Sequence, residues 1–237
     1  MPSPTRTTAG ALASRLATLW WLKAAGTTLF MWLFFSMYFS LQQLPHAFVS
    51  SIPLTWLDAA VPMQRWAWLP YLSLWVYTSL PAALQPRLRS LLYYGFCIAL
   101  VCAFGLLCYY FWPTAVPPLD KPEHAQLSWL RGVDTAGNAC PSLHVASALF
   151  SWLWLRHLLR QVGAGRGWHA ANAVWVALIV YSTLATKQHV AWDVVAGLLL
   201  GAAAGWLSLW ASRRMPAMTG FGGDMIPAPQ EIAHNAG

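Results

Sequence analysis

Charge is what this sequence has least of. Of 237 residues, 14 are Lys or Arg and 7 are Asp or Glu, 9% in all, where a soluble domain carries about 25%. That scarcity excludes an ordinary water-soluble globule. The 58% of hydrophobic residues excludes disorder, which needs low hydrophobicity and high charge. Cysteine is also scarce. Three of the four, Cys97, Cys102 and Cys108, share one apolar segment, which argues against a disulfide framework, and Cys140 is read as a packing residue. There is no dense basic run, so the net charge of +7 is not a nucleic-acid footprint, and no internal repeat marks a duplicated transporter. Tryptophan is abundant instead: 16 residues, the kind of amphipathic ring that gathers at a lipid–water boundary. The composition reads as an integral membrane protein whose first partner is the lipid bilayer.

A spanning helix needs roughly 20 residues, and the intervals between charges supply six of them. The expected spans are Gly26–Leu44, Trp66–Leu84, Leu91–Trp112, Pro141–Leu159, Trp168–Ala185 and His189–Ala211. Arg156 snorkels from the fourth. The fold expected is all-α, a polytopic bundle of six transmembrane helices over residues 1–214, with a disordered cytoplasmic tail over 215–237 that is rich in Pro, Gly and Ala. The N-terminal apolar segment is read as retained, because no small-residue cleavage site follows Leu44.

Orientation follows from the basic residues. With the N-terminus inside, the inner segments hold ten: Arg6, Arg15, Lys23, Arg87, Arg89, Arg156, Arg160, Arg166, Arg213 and Arg214. The outer loops hold four: Arg65, Lys121, Arg131 and Lys187. This positive-inside bias puts both termini in the cytoplasm and suggests a bacterial inner membrane. Arg213 and Arg214 anchor the inner face. His46 and Asp58 fall in the first outer loop and are read as serving solubility. Gly197, Gly201 and Gly205 form a small-x-x-x-small stripe suited to close helix packing.

Two polar features need a reason. Asp193 is the only acid within a span, at a cost of about 2.5–3.5 kcal/mol at a helix centre. His189 stands four residues earlier, on the same helical face, where a carboxylate raises a histidine's basicity and fixes its tautomer. The second feature is Pro141-Ser142-Leu143-His144, at the outer end of the fourth span. The topology brings His144 and His189 to the same membrane face although 45 residues separate them. Ser142, near a helix N-terminus, is placed to join an anion cradle. His124, Asp134 and Asn138 belong to the same outer loop and are read by default as solvated loop residues, with lining the entrance as the alternative. Taken alone, these residues also fit a structural His189–Asp193 pair between helices, or a metal site on His144, His189 and Asp193.

Pro141-Ser142-Leu143-His144 resembles the second signature of the type 2 phosphatidic acid phosphatase superfamily, usually Pro-Ser-Gly-His. His189-Val190-Ala191-Trp192-Asp193, with Gly197 one turn on, resembles the third, which ends in His-x-x-x-Asp. Phe111-Trp112-Pro113-Thr114 followed by Pro117-Pro118 is similar to the branch that includes inositol phosphorylceramide synthases. The sequence departs from the family at three places. The first signature, Lys-x6-Arg-Pro, is not recognisable, and only Lys121 and Arg131 supply basic side chains in its loop. Thr183 stands where an arginine normally precedes the histidine by six residues, although Ser182 is retained. Leu143 replaces the usual glycine.

The resemblance implies a metal-independent enzyme without a cofactor, acting on a membrane lipid phosphate. His189 would attack phosphorus and form a phosphohistidine, Asp193 would orient the imidazole, and His144 would serve as acid and then base. Ser142, Ser182, Lys187, Arg131 and Lys121 would help to hold the phosphate. Water as acceptor makes a phosphatase; a lipid or inositol hydroxyl makes a phosphotransferase. The rival class is a non-enzymatic lipid transporter or scaffold.

Overall fold

The computed structural model describes residues 7–45, 48–117 and 138–215. Lys121, Arg131, His46, His124, Asp134 and the tail from residue 216 lie outside the described residues. The described part is mostly helical.

Helix α1 (Thr8–Ala17) is capped by Thr7, whose hydroxyl accepts the Gly10 N–H at 3.2 Å. A break at Leu19, in the left-handed region at φ 53°, separates it from α2 (Trp20–Gln42). Then come α3 (Trp56–Ala60), a 3-10 turn over Arg65–Ala67, α4 (Trp68–Ala83), α5 (Leu88–Phe111), α6 (Leu143–Gln161), α7 (Arg166–Ala185) and α8 (Ala191–Arg214). Two two-residue strands, β1 (Ser50–Ser51) and β2 (Thr114–Ala115), pair in parallel. They tie the chain after α2 to the chain after α5.

Helix α2 begins before the expected Gly26 and takes Lys23 into the helix. The lysine is buried because its ammonium donates to the Arg15 carbonyl at 2.6 Å and to the Ala83 carbonyl at 2.8 Å. A charge satisfied in this way no longer ends a span.

Four helices, α2, α5, α7 and α8, are long and apolar enough to cross a membrane. Their large outward side chains, such as Trp32, Phe96, Phe104 and Leu199, are exposed, as lipid-facing groups should be. The other two of the six expected spans differ in kind. Helix α4 has 16 residues. Helix α6 carries His144, Arg156, His157 and Arg160, and it sits at the centre with α4, α5, α7 and α8 packed around it. A helix shielded from lipid by its neighbours is under no pressure to be apolar all round.

The core follows from that arrangement. Trp154 of α6 is fully buried with Phe150, Tyr94 and Tyr109, and its indole N–H donates to Ser208 Oγ of α8 at 2.9 Å. Tyr77 Oη donates to Asn172 Oδ1 at 2.6 Å, tying α4 to α7. Lipid is as apolar as leucine, so such hydrogen bonds and close packing hold the helices together. The glycine stripe on α8 does the rest. A β-carbon on Gly197 would lie 2.5 Å from the Ser142 carbonyl, and one on Gly201 would collide with the Ala146 carbonyl. These two glycines let α8 approach the start of α6 closely; at Gly205 the nearest group is the Leu153 side chain.

Candidate active site

The site is built where α6 and α8 begin. Ser142 N–H donates to the Asp193 carbonyl at 3.0 Å, locking the two helix starts together. Tyr109 Oη of α5 donates to the Pro141 carbonyl at 2.7 Å and accepts the Leu143 N–H at 3.3 Å, so α5 pins the same segment from the other side.

His189 and Asp193 meet as their spacing predicts. The His189 Nδ1–H donates to Asp193 Oδ2 at 2.7 Å. The other carboxylate oxygen accepts the Val190 N–H at 2.8 Å, so one side chain caps α8 and orients the imidazole. The pair is 5% and 0% exposed. A carboxylate has no donor of its own, so it holds the proton on Nδ1 and makes Nε2 the unprotonated nitrogen.

His144 lies in the first turn of α6, stacked on Tyr71 of α4 with ring centroids 4.0 Å apart and 15° between planes. Trp75 meets it edge-on at 5.9 Å. Its Nε2 has no hydrogen-bond partner among the described residues. His144 and His189 line one cavity of about 570 Å³. Asn138 and Trp68 line it as well, and Asn138 Oδ1 and Trp68 Nε1 are likewise buried and unpartnered among the described residues. Buried polar atoms are nearly always paired, so three orphans around one cavity call for a polar group to meet them.

The other expected site residues have local duties. Ser142 is the N-cap of α6, its hydroxyl accepting the Val145 N–H at 3.3 Å, and it is fully buried. Ser182 Oγ donates to the Ile179 carbonyl at 2.6 Å. Lys187, at φ 58°, donates to the Asp58 carbonyl at 2.7 Å and to the Val61 carbonyl. Lys121 and Arg131 lie outside the described residues. Among the described residues, no group of three His, Cys, Asp or Glu side chains is placed to hold a metal ion.

Asp58 corrects the sequence reading. It is buried rather than a solubility residue. Its Oδ1 accepts the Ala191 N–H of α8 at 2.8 Å, and its Oδ2 accepts the N–H and hydroxyl of Thr55 at 2.7 and 2.8 Å. The loop between α2 and α4 is therefore clamped to the residues on either side of His189. The spacing Thr55-x-x-Asp58 before an apolar turn was the available signal. Trp68 and Tyr71 carried none.

Outside the membrane-spanning helices, burial and the nearby Asp193 charge push the Cys140 thiol up to about 11, with a smaller contribution from Cys108.

The family model of the PAP2 superfamily matches residues 90–215, more than half of the chain. The chain belongs to the PAP2 superfamily. Its members are phosphoesterases and phosphotransferases, so this is an enzyme that acts on phosphate esters. The matched segment runs from α5 to the end of α8 and contains both histidines and Asp193. No curated protein and no solved structure matches the chain. As a PAP2 protein with four helices able to cross a bilayer, it is an integral membrane protein.

Proposed function

We propose that the protein is a lipid phosphatase working at the outer membrane face through His189. The observation that carries this reading is the buried His189–Asp193 pair at 2.7 Å opening onto the same cavity as His144. All six long helices cross the bilayer in this reading, α6 enclosed by its neighbours and α4 turning Leu69, Leu72 and Val76 outward, and the bias of basic residues puts the termini in the cytoplasm and the site in the periplasm.

The reaction runs in two displacements. His189 Nε2 attacks phosphorus, the bond from phosphorus to the leaving oxygen breaks, and His144 gives its proton to that oxygen. His144 then takes a proton from water, the resulting nucleophile attacks phosphorus, and the bond to His189 breaks to release inorganic phosphate. Asp193 supports the imidazolium character that develops, as the carboxylate does in a serine triad. The Trp68 indole N–H is available for a phosphoryl oxygen, and Lys121 and Arg131 are the further candidates to hold the phosphate. Ser142 serves this site by holding the helix start, and Lys187 by holding the loop. No step calls for a metal ion.

Thr183, where family members carry a phosphate-clamping arginine, favours a second reading. Its hydroxyl turns back to the Val180 carbonyl at 2.7 Å. In the inositol phosphorylceramide synthase-like branch some of these arginines are missing, and the acceptor is a lipid or inositol hydroxyl.

The test is phosphate release by purified protein from a panel of lipid phosphates, with EDTA throughout. Release from at least one lipid that survives EDTA and vanishes in His189→Ala supports the phosphatase. Equal release by His189→Ala overturns the catalytic assignment. Turnover only when a lipid or inositol acceptor is added selects the transferase.

A further inference from the structure

The cavity at the two histidines does not stop there. It continues between α2, α4 and α5 as far as Lys23. Along α2 it runs from Tyr38 to Lys23, about 22 Å at 1.5 Å per residue. Its polarity changes along that length. The outer end holds His144, His189, Asn138 and Gln188. The walls below are apolar or aromatic, with Phe30 and Phe34 on α2 facing Leu74 and Ile98. Three hydroxyls among them are already spent. Thr78 Oγ1 donates to the Leu74 carbonyl at 3.0 Å, Ser79 Oγ to Val76 at 2.6 Å and Ser147 Oγ to Leu143 at 2.7 Å. At the inner end the Lys23 ammonium is turned to the Arg15 and Ala83 carbonyls, so the lysine presents its aliphatic stem and closes the channel.

A reactive polar head above a long apolar shaft fits an amphiphile whose head is a phosphate. We propose that this channel holds a hydrocarbon chain of the lipid phosphate, and that Gly26 and Gly95 set its clearance and so select for chain length. The inference rests on the phosphohistidine reading only for what sits at the outer end. Gly26 and Gly95 both line the channel, and a β-carbon at either would meet nothing within 4 Å. They are therefore not packing glycines like Gly197. Glycine costs a helix roughly 1 kcal/mol relative to alanine, and here the space it leaves is open channel. At about 22 Å the shaft is longer than half of a ~30 Å hydrocarbon core, which suits a long hydrocarbon chain. Two of its walls, α2 with Gly26 and α4, come from residues before the family match begins at residue 90, whereas Gly95 lies within it.

The test measures binding without turnover. Hexadecylphosphonate and butylphosphonate are titrated into wild type, Gly26→Leu/Gly95→Leu and, as a control, Gly167→Leu, a position off the channel that is equally open. The readouts are Trp fluorescence, to which Trp68 and Trp75 of the channel wall contribute among 16 tryptophans, and thermal stabilisation in detergent. The channel variant should weaken the long-chain ligand at least tenfold, leave the short-chain ligand within twofold, and match wild type in melting temperature without ligand. Gly167→Leu should match wild type with both ligands. Equal affinity of the channel variant and wild type for hexadecylphosphonate, or an equal loss for both ligands, overturns the proposal. The same titration in His189→Ala keeps the two readings apart: a long-chain preference there stands whether or not His189 proves to be the nucleophile.

Discussion

Asp193→Asn separates orientation of the histidine from everything else the residue does. Asp193 uses its two oxygens on two partners: Oδ1 accepts the Val190 N–H at 2.8 Å and Oδ2 accepts the His189 Nδ1–H at 2.7 Å. An asparagine can keep its carbonyl on Val190, which preserves the cap of α8, but it then presents an NH2 group to His189. Two donors would face each other unless the imidazole moves its proton to Nε2. In that tautomer Nε2 has no lone pair for phosphorus. The corresponding aspartate-to-asparagine change in a serine triad lowers turnover about 10⁴-fold by the same tautomer error, or roughly 5.5 kcal/mol at 1.36 kcal/mol per tenfold. The expected result is a loss of that order in phosphate release, with a melting temperature near wild type because the cap survives. Labelled phosphate should no longer be trapped on the protein as an acid-labile, base-stable adduct. Turnover within tenfold of wild type, in a variant that folds, would refute the assignment of Asp193 as the group that sets the His189 tautomer.

Three further outcomes follow from the same geometry. Asp58→Ala strips the Ala191 and Thr55 donors of their acceptor and should destabilise the protein by about 1–3 kcal/mol, read as a lowered melting temperature in detergent together with reduced turnover. Gly197→Val drives a side chain into the Ser142 carbonyl and Val145 and should cost about 1–3 kcal/mol with loss of activity, whereas Gly26→Ala, inside a helix with nothing within 4 Å, should raise the melting temperature slightly. Cys140 is held protonated, its thiol pushed up to about 11, so at pH 8 roughly one molecule in a thousand carries the reactive thiolate. Alkylation of the Cys140 peptide, followed by mass spectrometry, should be slow at pH 8 and rise about tenfold per pH unit up to that value. It should be faster in Asp193→Asn, which removes one of the charges responsible.

The helices were legible because charge marks where lipid ends, and five of the six long segments begin and end within a few residues of the charge-free intervals. The exception, α2, shows the limit of that logic. Lys23 sits inside the helix because carbonyls of Arg15 and Ala83 meet its ammonium, and neither partner is visible from the local pattern. The His189–Asp193 contact was legible because the two residues share one helical face, and the Gly197 and Gly201 stripe because small residues repeat with the helix. Asp58 was hidden for the opposite reason: its partner on α8 is 133 residues away. Nearness in sequence also misleads. Ser182 and Lys187 flank the His189 segment, but a serine within a helix readily returns its hydroxyl to the preceding turn, and the direction of Lys187 is set by loop carbonyls from another part of the chain.

The same scarcity of charge that marks the spans also singles out the site. In an apolar protein each buried polar atom is costly unless paired, and the buried charged groups at both ends of this bundle are paired. Lys23 has two carbonyls, Asp58 has three donors, and Asp193 has a backbone N–H and an imidazole. The sheltered atoms that lack partners among the described residues belong to Trp68, Gln85, Asn138, His144 and His169, and three of these five residues line the cavity that His189 also lines. Packing gives no reason for a donor, an amide oxygen and an imidazole nitrogen to be left unsatisfied around one cavity. In the proposed reading a phosphate would meet these atoms, its oxygens accepting from the indole and its protonated oxygens donating to the amide, while the imidazole exchanges a proton with the leaving group. The unpartnered atoms support that reading independently of either signature.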